Sequence, residues 1–154
     1  MIEKAFFTTI EKEARAFLQK LGVEGSVTVE EKEESSVLVS ITTPSPKELI
    51  GEQGKVLADL EYVLKVFLRK RVPEQRFYVC LDVNNYKKSK EQYIREIARN
   101  VADEVALLKK EKEFPPMSPA ERRIIHTELG ERADIVSESI GEGKTRRVIV
   151  KPAL

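Results

Sequence analysis

Leu49-Ile50-Gly51-Glu52-Gln53-Gly54-Lys55 sets two glycines three positions apart, between a single helical turn at 47–50 and a long helical pattern at 55–71. Glycine reaches positive φ at little cost and fills no side-chain space, so the chain here can turn tightly and its backbone can be approached closely. The pattern that follows carries Val56, Leu60, Val63, Leu64, Phe67 and Leu68 on one stripe, and Pro73 ends it. The unpaired amides of its first turn would face whatever nears the glycines.

Upstream, residues 2–21 read as an amphipathic helix with Ile2, Phe6, Ile10, Ala14, Phe17 and Leu21 in register, and Gly22 follows. Two β-branched, alternating runs at 26–29 and 37–41 then read as an antiparallel hairpin, with the charged residues 30–34 and Ser35-Ser36 at its turn. Pro44-Ser45-Pro46 ends the second strand. Downstream of the long helix, Phe77, Val79, Leu81 and Val83 alternate with Tyr78, Cys80 and Asp82, the pattern of a half-buried strand. The order αββααβ, with Gly-x-x-Gly between its two adjacent helices, is that of a type II KH fold. Such a fold clamps a few nucleotides of single strand against that turn. On this reading Gly51, Glu52, Gln53, Gly54 and Lys55 form the clamp; the plainer reading is a turn that needs glycine for its geometry. Glu52 opposes phosphate where many such loops carry Lys or Arg, and Lys47, Lys55 and Arg69-Lys70-Arg71 are the cations at hand.

Asn84-Asn85-Tyr86 breaks the strand, and 87–110 reads as a long helix with Ile94, Ile97, Val101, Val105 and Leu108 aligned behind Lys87, Lys88 and Lys90. After the extended Phe114-Pro115-Pro116-Met117, Ser118-Pro119-Ala120-Glu121 combines an N-cap Ser, Pro at the first helical position and a capping-box Glu. The helix begun there places Arg122 and His126 on one face, one turn apart. A guanidinium grips phosphate with its planar fork, and an imidazole donates to phosphate or stacks on a base. A capped surface helix with ordinary charges would show the same two residues. Ile125 and Leu129 face a core, Gly130 ends the helix, and 135–140 with 146–150 form a last hairpin around Gly141-Glu142-Gly143-Lys144. The expectation is an α+β protein of two small domains joined at 84–87, a type II KH domain at 1–84 and a small α/β R-x-x-x-H domain at 85–154.

Charge and composition narrow the function classes. Basic and acidic side chains number 27 and 26, so bulk charge does not recruit nucleic acid or an anionic membrane, and any basic patch is local. The residues before Tyr86 are slightly acidic and those after it slightly basic. Cys80 is the single cysteine, which leaves no intramolecular disulfide and no cysteine zinc cluster and fits a reducing cytosol. His126, the single histidine, has no second His or Cys for a metal, and no nucleophile or orienting carboxylate at readable spacing. A non-catalytic, cofactor-free protein without membrane insertion is expected.

The turn at 51–54, the run Asp82-Val83-Asn84-Asn85-Tyr86-Lys87-Lys88 and the run Pro116-Met117-Ser118-Pro119-Ala120-Glu121-Arg122-Arg123-Ile124-Ile125-His126, in this order and spacing, closely resemble the Jag family of bacterial KH plus R-3-H proteins. The resemblance covers nearly the whole chain. It implies a cytoplasmic RNA-binding protein to which both domains contribute, linked in several bacteria to cell elongation and division and commonly paired with a second small KH protein. By position it carries Gly51 and Gly54 onto the KH loop, and Arg122 and His126 onto the second motif. More weakly it places Tyr86, Lys87, Arg123, Arg146 and Arg147 near the nucleic-acid face. Many relatives begin with a further small N-terminal domain and a charged linker, whereas this sequence starts directly at the KH helix. The function expected is single-stranded RNA binding, with single-stranded DNA as an alternative strand, in post-transcriptional regulation. The competing reading is a KH-mediated adaptor that dimerises or pairs with another protein and binds RNA weakly.

Overall fold

In the computed structural model, which describes residues 3–33 and 35–154, the chain divides between Lys87 and Lys88 into two compact units, each with its own apolar core. The first contains α1 (Lys4–Lys20), β1 (Ser26–Glu33), β2 (Ser36–Thr42), α2 (Pro46–Ile50), a 3-10 turn (Glu52–Gly54), α3 (Lys55–Arg71) and β3 (Tyr78–Val83), the expected αββααβ order. β1 and β2 are an antiparallel hairpin, and β3 joins β2 in parallel, giving the sheet order β1-β2-β3. A parallel pair cannot be closed by a tight turn, so α2, the glycine turn and α3 make the crossover. Alternate residues Val37, Val39 and Ile41 of β2 and Val79, Leu81 and Val83 of β3 are buried; α1 packs on β1 and on α3, and α3 on β3.

The first unit departs from expectation at its margins. β1 runs on through Glu30, Glu31, Lys32 and Glu33, past a bulge between Glu31 and Glu33. The acidic run thus lies mostly in an edge strand, where charge discourages pairing with another chain. Ile2 and Glu34 lie outside the described residues. On α1 the buried set is Phe6, Ile10, Ala14 and Leu18, with Leu21 exposed; on α3 it is Leu57, Leu64 and Leu68, with Val56 and Val63 exposed. Phe6, Ile10, Ala14, Leu64 and Leu68 are buried as expected and Phe17, Leu60 and Phe67 pack against the same core; the departures are Leu18 and Leu57, buried in place of the exposed Leu21, Val56 and Val63.

The second unit takes in most of α4 (Tyr86–Leu108), then β4 (Lys112–Glu113), α5 (Pro119–Leu129), β5 (Ile135–Ile140) and β6 (Arg147–Pro152). The expected hairpin is the antiparallel β5–β6 pair, and β4 adds to the other side of β6. Against this sheet the core gathers Ala98, Ala102 and Val105 of α4, Phe114, and Ile125 and Leu129 of α5. The alanines allow close helix approach and were not foreseen; Leu108, placed on the apolar stripe, is exposed.

Candidate nucleic-acid interface

α5 is fixed at its start before any ligand matters. Ser118 Oγ accepts the Glu121 amide proton and the Ser118 amide donates to the Glu121 carboxylate, satisfying two of the donors a helix N-terminus leaves open. Burial alone would raise the Glu121 carboxyl, but Lys90 at 2.8 Å and the two Ser118 bonds together hold it below its usual range. Glu128, in the last turn of the helix, accepts from Arg95 and Arg99 of α4 at 2.9 and 2.7 Å. With Ile125 and Leu129 buried beneath it, α5 is a stiff mount for its outer face.

That face borders an open depression of about 400 Å³ lined by Pro119, Arg122, Arg123, His126, Thr127, Ser139 and Arg146. The arginines of this unit fall into two sets. Arg95 and Arg99 are paired with Glu128, Arg132 with Asp103 and Asp134, and Arg147 with Glu113. Among the described residues Arg122, Arg123 and Arg146 have no carboxylate partner, and all three line the depression. Arg122 goes further: its Nε and Nη1 are buried with no hydrogen-bond acceptor. Buried polar groups are nearly always satisfied in native proteins, so an orphaned guanidinium marks a place where an acceptor is wanted. Arg147, expected at this face, instead donates through Nε to Glu113 at 2.6 Å.

His126 does not present its nitrogens to the depression as expected. Nδ1 lies 2.9 Å from Ser137 Oγ and Nε2 lies 2.8 Å from Ser139 Oγ, so both ring positions are engaged by β5. Burial, and then the charge of Arg122, lower its pKa below the ordinary histidine value and favour the neutral ring. A neutral imidazole has one N–H and one lone pair, so one serine accepts from it and the other donates to it. The serines were missed in the sequence. Their signal was the alternation Ile135, Ser137, Ser139, which puts two hydroxyls on the inward row of a strand, where each needs a partner.

In the first unit the glycine turn has the conformation its residues imply: φ is 70° at Gly51, 53° at Gln53 and 78° at Gly54. A Cβ at Gly51 would fall 2.3 Å from Val56 Cγ2, and one at Gly54 would fall 3.1 Å from the Tyr86 ring. Packing requires glycine at 51, positive φ and a tight approach to Tyr86 favour it at 54, and Glu52, Gln53 and Lys55 are exposed around them. Tyr86 belongs to this turn. Lys87, which the resemblance placed more weakly near the nucleic-acid face, is paired with Glu61, whose carboxylate accepts from its ammonium at 3.0 Å and from the Leu81 amide at 2.8 Å. The Asp-Val-Asn-Asn-Tyr run proves to be a structural exit from β3. Asn84 exchanges two hydrogen bonds with the Thr43 backbone, both at 2.9 Å, and Asp82 accepts from the Lys87 amide. Asn84 and Asn85 take φ of 50° and 57°, a region asparagine tolerates better than most residues.

The R-3-H domain family matches residues 90–152, which contain α5, β5 and the whole depression. The RNA-binding protein KhpB of Bacillus subtilis is 32% identical over 145 residues, covering 90% of this chain and 69% of that protein. This chain belongs to the KhpB, or Jag, family. Proteins of the same name from Clostridium symbiosum and Streptococcus pneumoniae are 34% identical over 102 residues and 31% identical over 115 residues. This KhpB-family chain spans 46% and 35% of those two proteins. Among its described residues no cluster of His, Cys, Asp and Glu is arranged to hold a metal, and no helix is long and apolar enough to cross a membrane.

Proposed function

We propose that this chain is a non-catalytic, cytoplasmic binder of single-stranded RNA, gripping the sugar-phosphate backbone in the depression between α5 and the start of β6. The observation that carries this is the segregation of arginines: those facing elsewhere in the unit are neutralised by carboxylates, and those in the depression are not. Unpaired guanidiniums on a stiff mount suit phosphate, and an open groove suits a strand whose bases can splay outward. The first unit, read as a KH domain, contributes through Lys55 and the turn amides, weakened by Glu52. The relatives are named as RNA-binding proteins, which agrees with this reading. A role in post-transcriptional control of cell elongation and division rests on the family resemblance alone.

The test is a fluorescence-anisotropy titration with a labelled single-stranded RNA and a duplex of the same sequence. The wild type should prefer the single strand, and Arg122→Ala/Arg123→Ala/Arg146→Ala should weaken it by a factor of about 1,000 or more, since charged phosphate contacts contribute roughly 1.5–3 kcal/mol each. Equal binding by this triple variant would remove the site.

A second reading, an adaptor pairing through the first unit with a second small KH protein or with itself, is favoured by one observation. Tyr62, Val63 and Val66 make an exposed apolar strip on α3, with Tyr62 67% accessible. Light scattering of the chain beside the RNA titration separates the two. A stable dimer lost on Val63→Lys, with no measurable RNA affinity, would favour the adaptor.

A further inference from the structure

We propose that Ser139 is itself a phosphate contact in the depression, and that Ser137 and His126 hold its hydroxyl in the donating state. This rests on the RNA reading above and assigns a residue that the Arg-x-x-x-His pattern does not contain. A phosphodiester oxygen only accepts hydrogen bonds, so a serine beside it must donate, and a hydroxyl has one proton. Ser139 lines the depression with the three unpaired arginines, and its oxygen lies 2.8 Å from His126 Nε2. If Ser139 gives its proton to the ring, it turns lone pairs toward phosphate and repels it. If Nε2–H donates to Ser139 instead, the serine proton is free to point into the depression.

The second serine makes the donating state available. Ser137 lies 2.9 Å from Nδ1 and is not among the residues lining the depression, so its hydroxyl can donate to Nδ1 and leave the ring proton on Nε2. The bound state is then a directed chain: Ser137 O–H to Nδ1, Nε2–H to Ser139 Oγ, Ser139 O–H to phosphate. Each bond polarises the next. Arg122, whose charge acts on the ring and whose Nε and Nη1 are buried and unpartnered, opposes a second ring proton, so the ring stays neutral and the acceptor-only phosphate at Ser139 selects the Nε2–H direction of the chain. His126 is in this arrangement a positioning residue, and its place in the motif follows from orienting Ser139 rather than from touching RNA.

The experiment uses the full chain and a fluorescein-labelled oligouridylate of about twelve nucleotides, within the usual span of single-strand sites. Ser139→Ala should weaken binding roughly tenfold, the scale of one hydrogen bond to a charged group. It should leave the slope of log K against log salt unchanged, because no cation is lost. Arg146→Ala should lower that slope by about 0.7. Ser139→Thr should restore most of the affinity. His126 is the single histidine of the chain, so ¹⁵N spectra report its tautomer without assignment, and the RNA complex should show the Nε2–H form. Tight binding by a folded Ser139→Ala, or the Nδ1–H form in the complex, overturns the proposal while leaving the arginine site standing. Failure of the wild type to bind RNA removes the RNA reading, and this inference with it.

Discussion

A guanidinium with two nitrogens buried and unpartnered works against folding, since each donor gives up water for nothing in return. Arg122 is in that position, so the account predicts a divergence between stability and binding there. Arg122→Met, which keeps the packing of the side-chain stem, should leave the melting temperature unchanged or raise it by a few degrees, on the order of 1 kcal/mol or less. The same variant should weaken RNA binding at least tenfold. A fall in both would make Arg122 an ordinary structural residue. His126 gives a second check. Its pKa is depressed first by burial and then by Arg122, so it should titrate by NMR below about 6.5, the ordinary value, and move upward in Arg122→Met. The depressed folded pKa also means that the unfolded chain takes up a proton first as pH falls. The contribution of His126 to stability is therefore whole above about 6.5 and is lost as pH drops through the folded value. His126→Asn should flatten that part of the stability profile. The Arg122 and His126 pairing was legible from a four-residue spacing on a capped helix. The engagement of both ring nitrogens was not, because Ser137 and Ser139 reach them only once β5 is laid across α5.

At the scale of elements, α5 owes its definition to signals that lie next to one another in sequence. Ser118, Pro119 and Glu121 specify its start, and the capping box is formed as the residues imply. Ser118→Ala should cost about 1 kcal/mol of stability, readable as a lower denaturant midpoint, with RNA affinity changed little under conditions below the new unfolding transition. The glycine turn was equally legible, since Gly51, Gln53 and Gly54 all adopt positive φ. What it binds depends on charge, and Glu52 is exposed there. Glu52→Lys should tighten single-stranded RNA binding several-fold at low salt if the first unit contributes, and no change would confine binding to the second. Elements decided by distant partners escaped the sequence. β4 is two residues long and exists because Lys112 and Glu113 meet Val150 and Ile149 of β6. The burial of Ala98 and Ala102 in place of Leu108 reflects how closely α4 packs in its own core, which a hydrophobic stripe alone does not encode.

For the whole molecule, a net charge of +1 leaves little general attraction for a polyanion, so affinity must come from local contacts. With about three arginine–phosphate contacts and a weaker one from Lys55, the slope of log K against log salt should be between about −2 and −3, and Arg122→Ala/Arg123→Ala/Arg146→Ala should reduce it to about −0.7 or shallower. A steep slope in that variant would point to another basic surface. The αββααβ order and the final hairpin could be read ahead because hydrophobic period, glycine and proline punctuate them. The two units divide after Lys87, at the end of the 84–87 run and two residues into α4. The central claim, that RNA lies in the arginine-lined depression of the second unit, is tested most directly by titrating the ¹⁵N-labelled chain with a single-stranded oligouridylate and following backbone amide and arginine Nε–H signals. The account predicts saturable shifts concentrated at Arg122, Arg123, His126, Thr127, Ser139 and Arg146. Saturable binding that leaves these signals in place and moves others would contradict it.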